Sequence, residues 1–151
     1  MSRVPGVNFV LPIRVYYEDT DAAGVVYYAS YLKFLERART EWLRALGYEQ
    51  SRLAGDFGVA FVARSISAEY LKPALLDDLL NVSSTIESVG RVQVVFSQNV
   101  LREGAQGVEL LLTAKMRIAC VDSARMKAAA MPEDVFETFR LLTSNRTGNR
   151  A

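Results

Sequence analysis

Helical periodicity runs through one long stretch of this chain, and from Val59 to Cys120 the period is two. Tyr31, Phe34, Leu35, Ala38, Trp42, Ala45 and Leu46 recur at helical spacing, while Lys33, Glu36, Arg37, Thr40, Glu41 and Arg44 take the opposite side. At ~1.5 Å per residue the element is roughly 24 Å long, the longest helix the sequence offers. Ser30 precedes it as an expected N-cap, since a hydroxyl there accepts from a free amide of the first turn. Gly47 follows it as the expected left-handed closing residue.

The alternating segments read as strands. Before the helix, Ile13, Val15 and Tyr17 face one way and Arg14, Tyr16 and Glu18 the other, which predicts a half-buried strand from Pro12 to Glu18. After it, Val59, Phe61, Ala63 and Ser65 alternate with Ala60, Val62, Arg64 and Ile66, and the run ends near Tyr70 and Pro73. Leu80, Val82, Ser84 and Ile86 form another alternation, Gly90 supplies a turn, and Val92, Val94 and Phe96 follow, which is a hairpin signal. Gly104 and Gly107 flank a second turn, after which Val108, Leu110, Leu112, Ala114, Met116, Ile118 and Cys120 mark one face of a long strand. Pro132 opens a short last helix with Glu133 and Asp134 in its first turn, and the polar tail from Ser144 reads as frayed. A strand, a long helix and then turn-linked strands predict an α+β fold with an antiparallel sheet, in one domain.

The chemistry is narrowed by what is missing. The 151 residues include one cysteine, Cys120, and no histidine. An intrachain disulfide is impossible, and a zinc site would rest almost wholly on carboxylates. Ser-His-Asp triads, Cys-His pairs and imidazole proton shuttles are excluded, so acid-base or nucleophilic work falls to Asp, Glu, Lys, Tyr or the lone Cys. Cys120 lies on the apolar side of its strand and reads as a small core residue. Basic and acidic side chains number 18 and 17, so no strong nucleic-acid field is expected and an anionic ligand must be held by local charge. No apolar stretch approaches the roughly 20 residues of a membrane span, and Met1 to Leu11, broken by Arg3 and Pro5, does not read as a secretory signal. The expected address is the cytoplasm.

One run concentrates reactive groups. Between Arg14 and Leu32 stand Glu18, Asp19, Asp21, Gly24, Tyr27, Tyr28 and Tyr31, so that carboxylates, a glycine and a helix start fall within a few residues. Amides at a helix start carry partial positive charge and point out of the helix, where they can bind a developing oxyanion. Gly24 lets the backbone approach a ligand closely. The same run also fits a strand-to-helix loop with ordinary turn and capping acids, and the residues alone do not separate the two. Glu18 and Asp19 are expected as loop and surface acids, and Phe34 and Trp42 as core.

This run resembles the signature of the hotdog thioesterases related to 4-hydroxybenzoyl-CoA thioesterase, and more particularly of the YbgC branch, the acyl-CoA thioesterases associated with the Tol-Pal system. The resemblance continues through Phe34 to Glu41, Val59 to Arg64, Glu69-Tyr70, Pro73-Ala74, Leu76 to Asp78 and Cys120 to Asp122, covering roughly residues 12 to 140. It implies a hotdog fold, an antiparallel sheet wrapped around one long central helix. It further implies that Asp21 is the catalytic carboxylate, as nucleophile or as general base, and that the Tyr28 amide or a neighbour is the oxyanion donor, at a site in a dimer interface. The YbgC branch carries histidine at the position of Tyr28, whereas the hydroxybenzoyl-CoA branch carries tyrosine. A backbone donor survives that change, and the acyl pocket is where it would be felt.

The resulting expectation is hydrolysis of acyl-CoA, with aliphatic acyl groups favoured, to free acid and CoA without metal or organic cofactor. Asp21 and Tyr28 are its catalytic candidates, and Gly24, Tyr27, Tyr31 and Arg64 its substrate-binding candidates. Arg91, Lys115, Arg117 and Lys127 are further cations that a CoA phosphate can meet or that simply face solvent. The expected partners are acyl-CoA, acyl carrier protein as a second acyl donor, and further copies of the chain in a homodimer or homotetramer. The rivals are a non-catalytic acyl-CoA or acyl-carrier-protein binding module, an aromatic acyl-CoA thioesterase, and a structural oligomer. A hotdog dehydratase would want a histidine that this chain lacks.

Overall fold

The computed structural model describes residues 9 to 148, with side chains described as far as Thr143. Residues 1 to 8 and 149 to 151, on which the readings of the N-terminal segment and part of the polar tail fall, lie outside the described residues. In chain order come β1 (Phe9–Arg14), a 3-10 turn (Tyr17–Asp19), α1 (Tyr28–Ala45), α2 (Gln50–Arg52) running into a π-helical turn (Leu53–Phe57), β2 (Val59–Tyr70), β3 (Leu79–Val89), β4 (Gln93–Gly104), β5 (Gly107–Asp122) and α3 (Glu133–Gly148). α3 is longer than expected and runs on through Ser144. Among the described residues no helix is long and apolar enough to cross a membrane.

The five strands form one antiparallel sheet in the order β1-β3-β4-β5-β2. Helix α1 lies against one face of it. Tyr31, Phe34, Leu35, Ala38, Trp42 and Leu43 are buried on the helix, and Leu80, Val82 and Ile86 of β3, Val94, Phe96 and Val100 of β4, and Leu112 to Cys120 at alternate positions of β5 are buried beneath it. Each such aliphatic or aromatic side chain contributes about 1.5–3 kcal/mol by leaving water. Trp42 anchors the middle, stacked on Phe9 at 6.2 Å and edge-on to Phe96 at 5.8 Å. Cys120 is fully buried, and burial pushes its thiol pKa up, which keeps it protonated and inert.

Gly47 ends α1 as expected. It stands at φ +99°, its N–H donates to Arg44 O and the Tyr48 N–H to Leu43 O, the paired bonds of a Schellman closure. The start of α1 differs from expectation. The N-cap is Tyr27, and Ser30 is a buried residue inside the first turn whose N–H donates to Tyr27 O. The chain therefore turns helical three residues early, because Tyr27 is already held by its own N–H to Asp19 O at 3.0 Å.

The first strand also ends early, at Arg14. Ile13 and Val15 are buried, but Tyr17 is 82% exposed, since the 3-10 turn swings it off the sheet. That turn folds Asp19 inward. It is 7% exposed, its Oδ2 accepts from the Tyr16 N–H at 2.9 Å and its Oδ1 lies 3.5 Å from Lys33 Nζ, so it is a structural acid and not a surface one.

Two β-bulges change the strand faces. In β2, Ala63 pairs with Ile118 and Ser65 with Arg117, which leaves Arg64 as the extra residue. The inward set is therefore Val59, Phe61 and Ala63 followed by Ile66, Ala68 and Tyr70, where strict alternation puts Ser65 inward. In β5 the extra residue is Leu111, between Leu112 paired with Val100 and Leu110 paired with Leu101. Val108 and Leu110 are consequently turned away from the core and exposed, contrary to the single apolar face expected from Val108 to Cys120.

A candidate active site at the start of the long helix

The segment between β1 and α1 is a small closed loop. Thr20 bridges to Val26, the Asp21 N–H donates to Val25 O, and the Gly24 N–H donates to Asp21 O. Asp21 opens the turn whose tip is Ala22 and Ala23, and it is exposed, with Oδ1 accepting the Ala23 N–H at 2.9 Å. Its Oδ2 has no hydrogen-bond donor among the described residues. Gly24 holds φ +82°, which is where a tight reversal needs a glycine, and its carbonyl accepts from the Leu76 N–H.

The connection from β2 to β3 closes over this loop. Val26 N–H donates to Ala74 O, Val25 bridges to Leu75, and the Ala74 N–H donates to the Tyr31 hydroxyl at 3.0 Å. Arg102 clamps the same connection from the sheet, donating to Asp78 Oδ2 at 2.7 Å, to Pro73 O at 3.1 Å and to Glu109 Oε1 at 2.9 Å. The carboxylate hydrogen bonds push the Arg102 pKa up, chiefly through Asp78. Asp78 Oδ2 also accepts the Leu75 N–H, so one carboxylate sets both ends of the turn.

Between these two loops and the helix start lies a groove of about 250 Å3, lined by Val25, Val26, Tyr28, Tyr31, Tyr70, Leu71, Lys72 and Pro73. Its floor is aromatic, with the Tyr28 ring 5.3 Å and the Tyr31 ring 5.5 Å from that of Tyr70. At its edge is the first turn of α1, where the amides of Tyr28 and Ala29 have no carbonyl one turn earlier to bind, and no acidic side chain stands in that turn. The helix dipole adds to their partial positive charge. Such a groove offers an apolar bed beside oriented N–H donors, the pairing that a polarised carbonyl with an apolar substituent requires.

Of the residues singled out in the sequence, Tyr28 and Tyr31 line this groove, and Gly24 adjoins it through Val25. Asp21, Tyr27 and Arg64 do not line it. Tyr27 serves as N-cap with an exposed ring 6.2 Å from that of Tyr28, and Arg64 projects from the β2 bulge, exposed and without an ion pair among the described residues. Arg91 and Lys115 are already engaged, the first with Glu133 at 2.9 Å and over the Phe136 ring at 4.4 Å, the second with Glu87 at 3.2 Å. Sequence reasoning missed Lys72 and the Tyr70 ring. Tyr70 had only the resemblance at Glu69-Tyr70 as a signal and Lys72 had none, and what brings them to the helix start is the fold of the β2–β3 connection. Among the described residues no group of three His, Cys, Asp or Glu stands together to hold a metal ion.

Tyr31 is a positioning residue here. Burial raises its pKa, so the phenol stays protonated and keeps its hydroxyl oxygen on the Ala74 N–H. Tyr31→Phe leaves that buried amide without an acceptor, which is expected to cost about 1–3 kcal/mol in urea unfolding. An unchanged midpoint would show that the bond does not hold the connection in place.

Comparison with known proteins places the chain in a family. The sequence model of the thioesterase-like superfamily matches residues 15 to 139. Acyl-CoA thioesterase YbgC of Haemophilus influenzae is 43% identical over 135 residues, covering 89% of this chain and 96% of that protein. Among solved structures, a probable thioesterase from Bartonella henselae superimposes with a TM-score of 0.75 at 34% identity, covering 83% of this chain and 99% of that one. The 4-hydroxybenzoyl CoA thioesterase from Pseudomonas sp. strain CBS-3 does so with a TM-score of 0.78 at 25% identity, covering 85% and 96%. The expected α+β hotdog fold is the one observed, and the chain belongs to the thioesterase-like superfamily.

Proposed function

We propose that this chain hydrolyses acyl-CoA thioesters to the free acid and CoA. The observation that carries the reading is the aromatic groove at the start of α1, one short loop away from the exposed carboxylate of Asp21, in a chain of a thioesterase superfamily. In the proposal the thioester carbonyl accepts from the Tyr28 amide or its neighbour, and Asp21 attacks the carbonyl carbon or deprotonates the water that does. A thiolate leaves without strong protonation, so a site without histidine suffices. Lys72 is a cation of the groove wall available to a CoA phosphate, although it already lies 3.3 Å from Glu109 Oε2. The direct test is release of free thiol from a panel of aliphatic acyl-CoAs of graded length together with aromatic acyl-CoAs. No release from any of them would leave a non-catalytic acyl-CoA or acyl-carrier-protein binding module.

Aliphatic substrates are favoured in this proposal. The YbgC relative is similar along most of the chain, while the likeness to the 4-hydroxybenzoyl CoA enzyme in identity is lower. Tyr28 is the feature that pulls towards aromatic acyl groups, and one pocket position shifts discrimination by only about 1–3 kcal/mol. Because the Tyr28 ring lines the groove against Tyr70, Tyr28→His is expected to raise kcat/KM for long acyl chains more than for short ones. A flat ratio across the panel would mean that the ring does not border the acyl group.

The proposal also makes the working unit at least a homodimer. Asp21 and Arg64 are exposed and outside the groove on one copy, as the parts of a site shared between two copies would be. β2 is a twelve-residue strand at the sheet edge with one side unpaired, the surface that a second copy can extend.

A further inference from the structure

Behind the middle of α1, away from the groove, lies a cavity of about 130 Å3. Glu36, Arg39, Thr40 and Leu43 of the helix border it, with Gln50, Phe61, Ala63, Val94, Phe96, Ile118 and Phe139 completing the wall, and it shares no lining residue with the groove. Arg39 is 9% exposed. Its Nη1 donates to Gln98 Oε1 at 3.0 Å, and the Gln98 side chain is itself fully used, donating to Leu35 O and Ser84 Oγ. Among the described residues the guanidinium meets no carboxylate at salt-bridge distance, and its remaining N–H groups have no acceptor. Glu36, the one acid in the wall, accepts from Thr40 Oγ1 instead.

A buried guanidinium whose N–H groups lack acceptors is costly, and proteins ordinarily satisfy them. Burial lowers the Arg39 pKa to about 10, the loss of water outweighing the nearby Glu36 carboxylate, which raises it. Beyond Glu36, Thr40 and Gln50, the cavity wall beside it is apolar and aromatic. From this geometry we propose that the cavity binds a small organic carboxylate, its head on the Arg39 guanidinium and its apolar body against Phe61, Phe96 and Phe139. A planar carboxylate matches the guanidinium fork with two parallel hydrogen bonds. The volume is close to the ~150 Å3 that accommodates a benzene ring, which sets the body at one ring or a chain of about six carbons. The inference stands on this cavity alone and does not depend on the chain being a thioesterase.

The test is calorimetric titration of the full chain with benzoate and hexanoate, each against its neutral counterpart, benzyl alcohol and hexan-1-ol. Saturable binding of one carboxylate per chain is expected, at least tenfold tighter than the alcohol. Arg39→Met is expected to remove that preference while the alcohol still binds. Ala63→Leu, which extends a side chain from β2 into the space, is expected to abolish binding of acid and alcohol alike. Equal affinity for acid and alcohol, a preference that survives Arg39→Met, or no saturable binding by the wild-type chain would each overturn the proposal. Should Arg39→Met fail to fold, undiminished carboxylate binding by Ala63→Leu would overturn it as well.

Discussion

Asp21→Asn is expected to lower kcat for acyl-CoA hydrolysis by on the order of 10²-fold or more while leaving KM within a few-fold. The two oxygens of this side chain have different work. Oδ1 accepts the Ala23 N–H and shapes the loop, and the amide oxygen of asparagine can do the same at the same distance. Oδ2 has no donor among the described residues and is the atom available to attack a carbonyl or to take a proton from water. An amide NH2 in its place does neither. The substitution therefore separates loop shape from chemistry, and the loss should fall on kcat alone. Tyr28→Phe is the companion variant. It removes a phenol and keeps the amide at the first turn of α1, so activity within several-fold of wild type is expected if the amide polarises the carbonyl. Full activity of Asp21→Asn would take Asp21 out of the mechanism, and a Tyr28→Phe loss as deep as that of Asp21→Asn would bring the phenol into it.

How far the sequence foretold this arrangement depends on whether the signal was local. The body of the long helix, its glycine closure and the β3–β4 hairpin are set by side chains within a few residues of one another, and they stand where the periodicity puts them. Leu80, Val82, Ser84 and Ile86 are all buried on one face of β3. The failures come where distant partners decide. Leu111 bulges because β5 must pair with β4 on one side while its carbonyl receives both the Leu71 and Lys72 N–H groups on the other, and nothing within β5 announces it. Ser30 looks like a cap, but the backbone of Asp19, eight residues before the N-cap Tyr27, fixes an earlier start. Asp19 reads as a surface acid because turns are ordinarily exposed, yet the 3-10 turn buries it. Of the candidate site, the helix start was legible from one contiguous run, which also holds Asp21 just outside the groove, while the groove wall from Tyr70 to Pro73 is supplied by another part of the chain. The Arg39–Gln98 pair, fifty-nine residues apart, left no local trace.

In the proposed homodimer, Ile66→Arg is expected to leave a folded, inactive monomer. The bulge at Arg64 directs Ile66 and Tyr70 to the face of the sheet that carries α1, since they pair with the buried Met116 and Leu112. On that face they ought to be core, yet Ile66 is 41% and Tyr70 49% exposed, because β2 is the edge strand and α1 covers it only in part, meeting Tyr70 through Tyr28 and Tyr31. Leu32 of α1 and Leu71 beyond the strand end are exposed as well. A second copy adding its own β2 to this edge would give the unpaired strand backbone a partner and lay its helix over these side chains. An arginine at position 66 places a charge where that second copy must bury apolar surface, and an uncompensated buried charge costs several kcal/mol, enough to shift association by three orders of magnitude or so. Within one copy the same side chain stands at an open edge and reaches water, so unfolding in urea should change little. Light scattering and sedimentation would report the association, and thiol release the activity. A variant that stays assembled would clear the β2 edge of any part in the interface, and a monomer with full turnover would show that one copy holds a complete site.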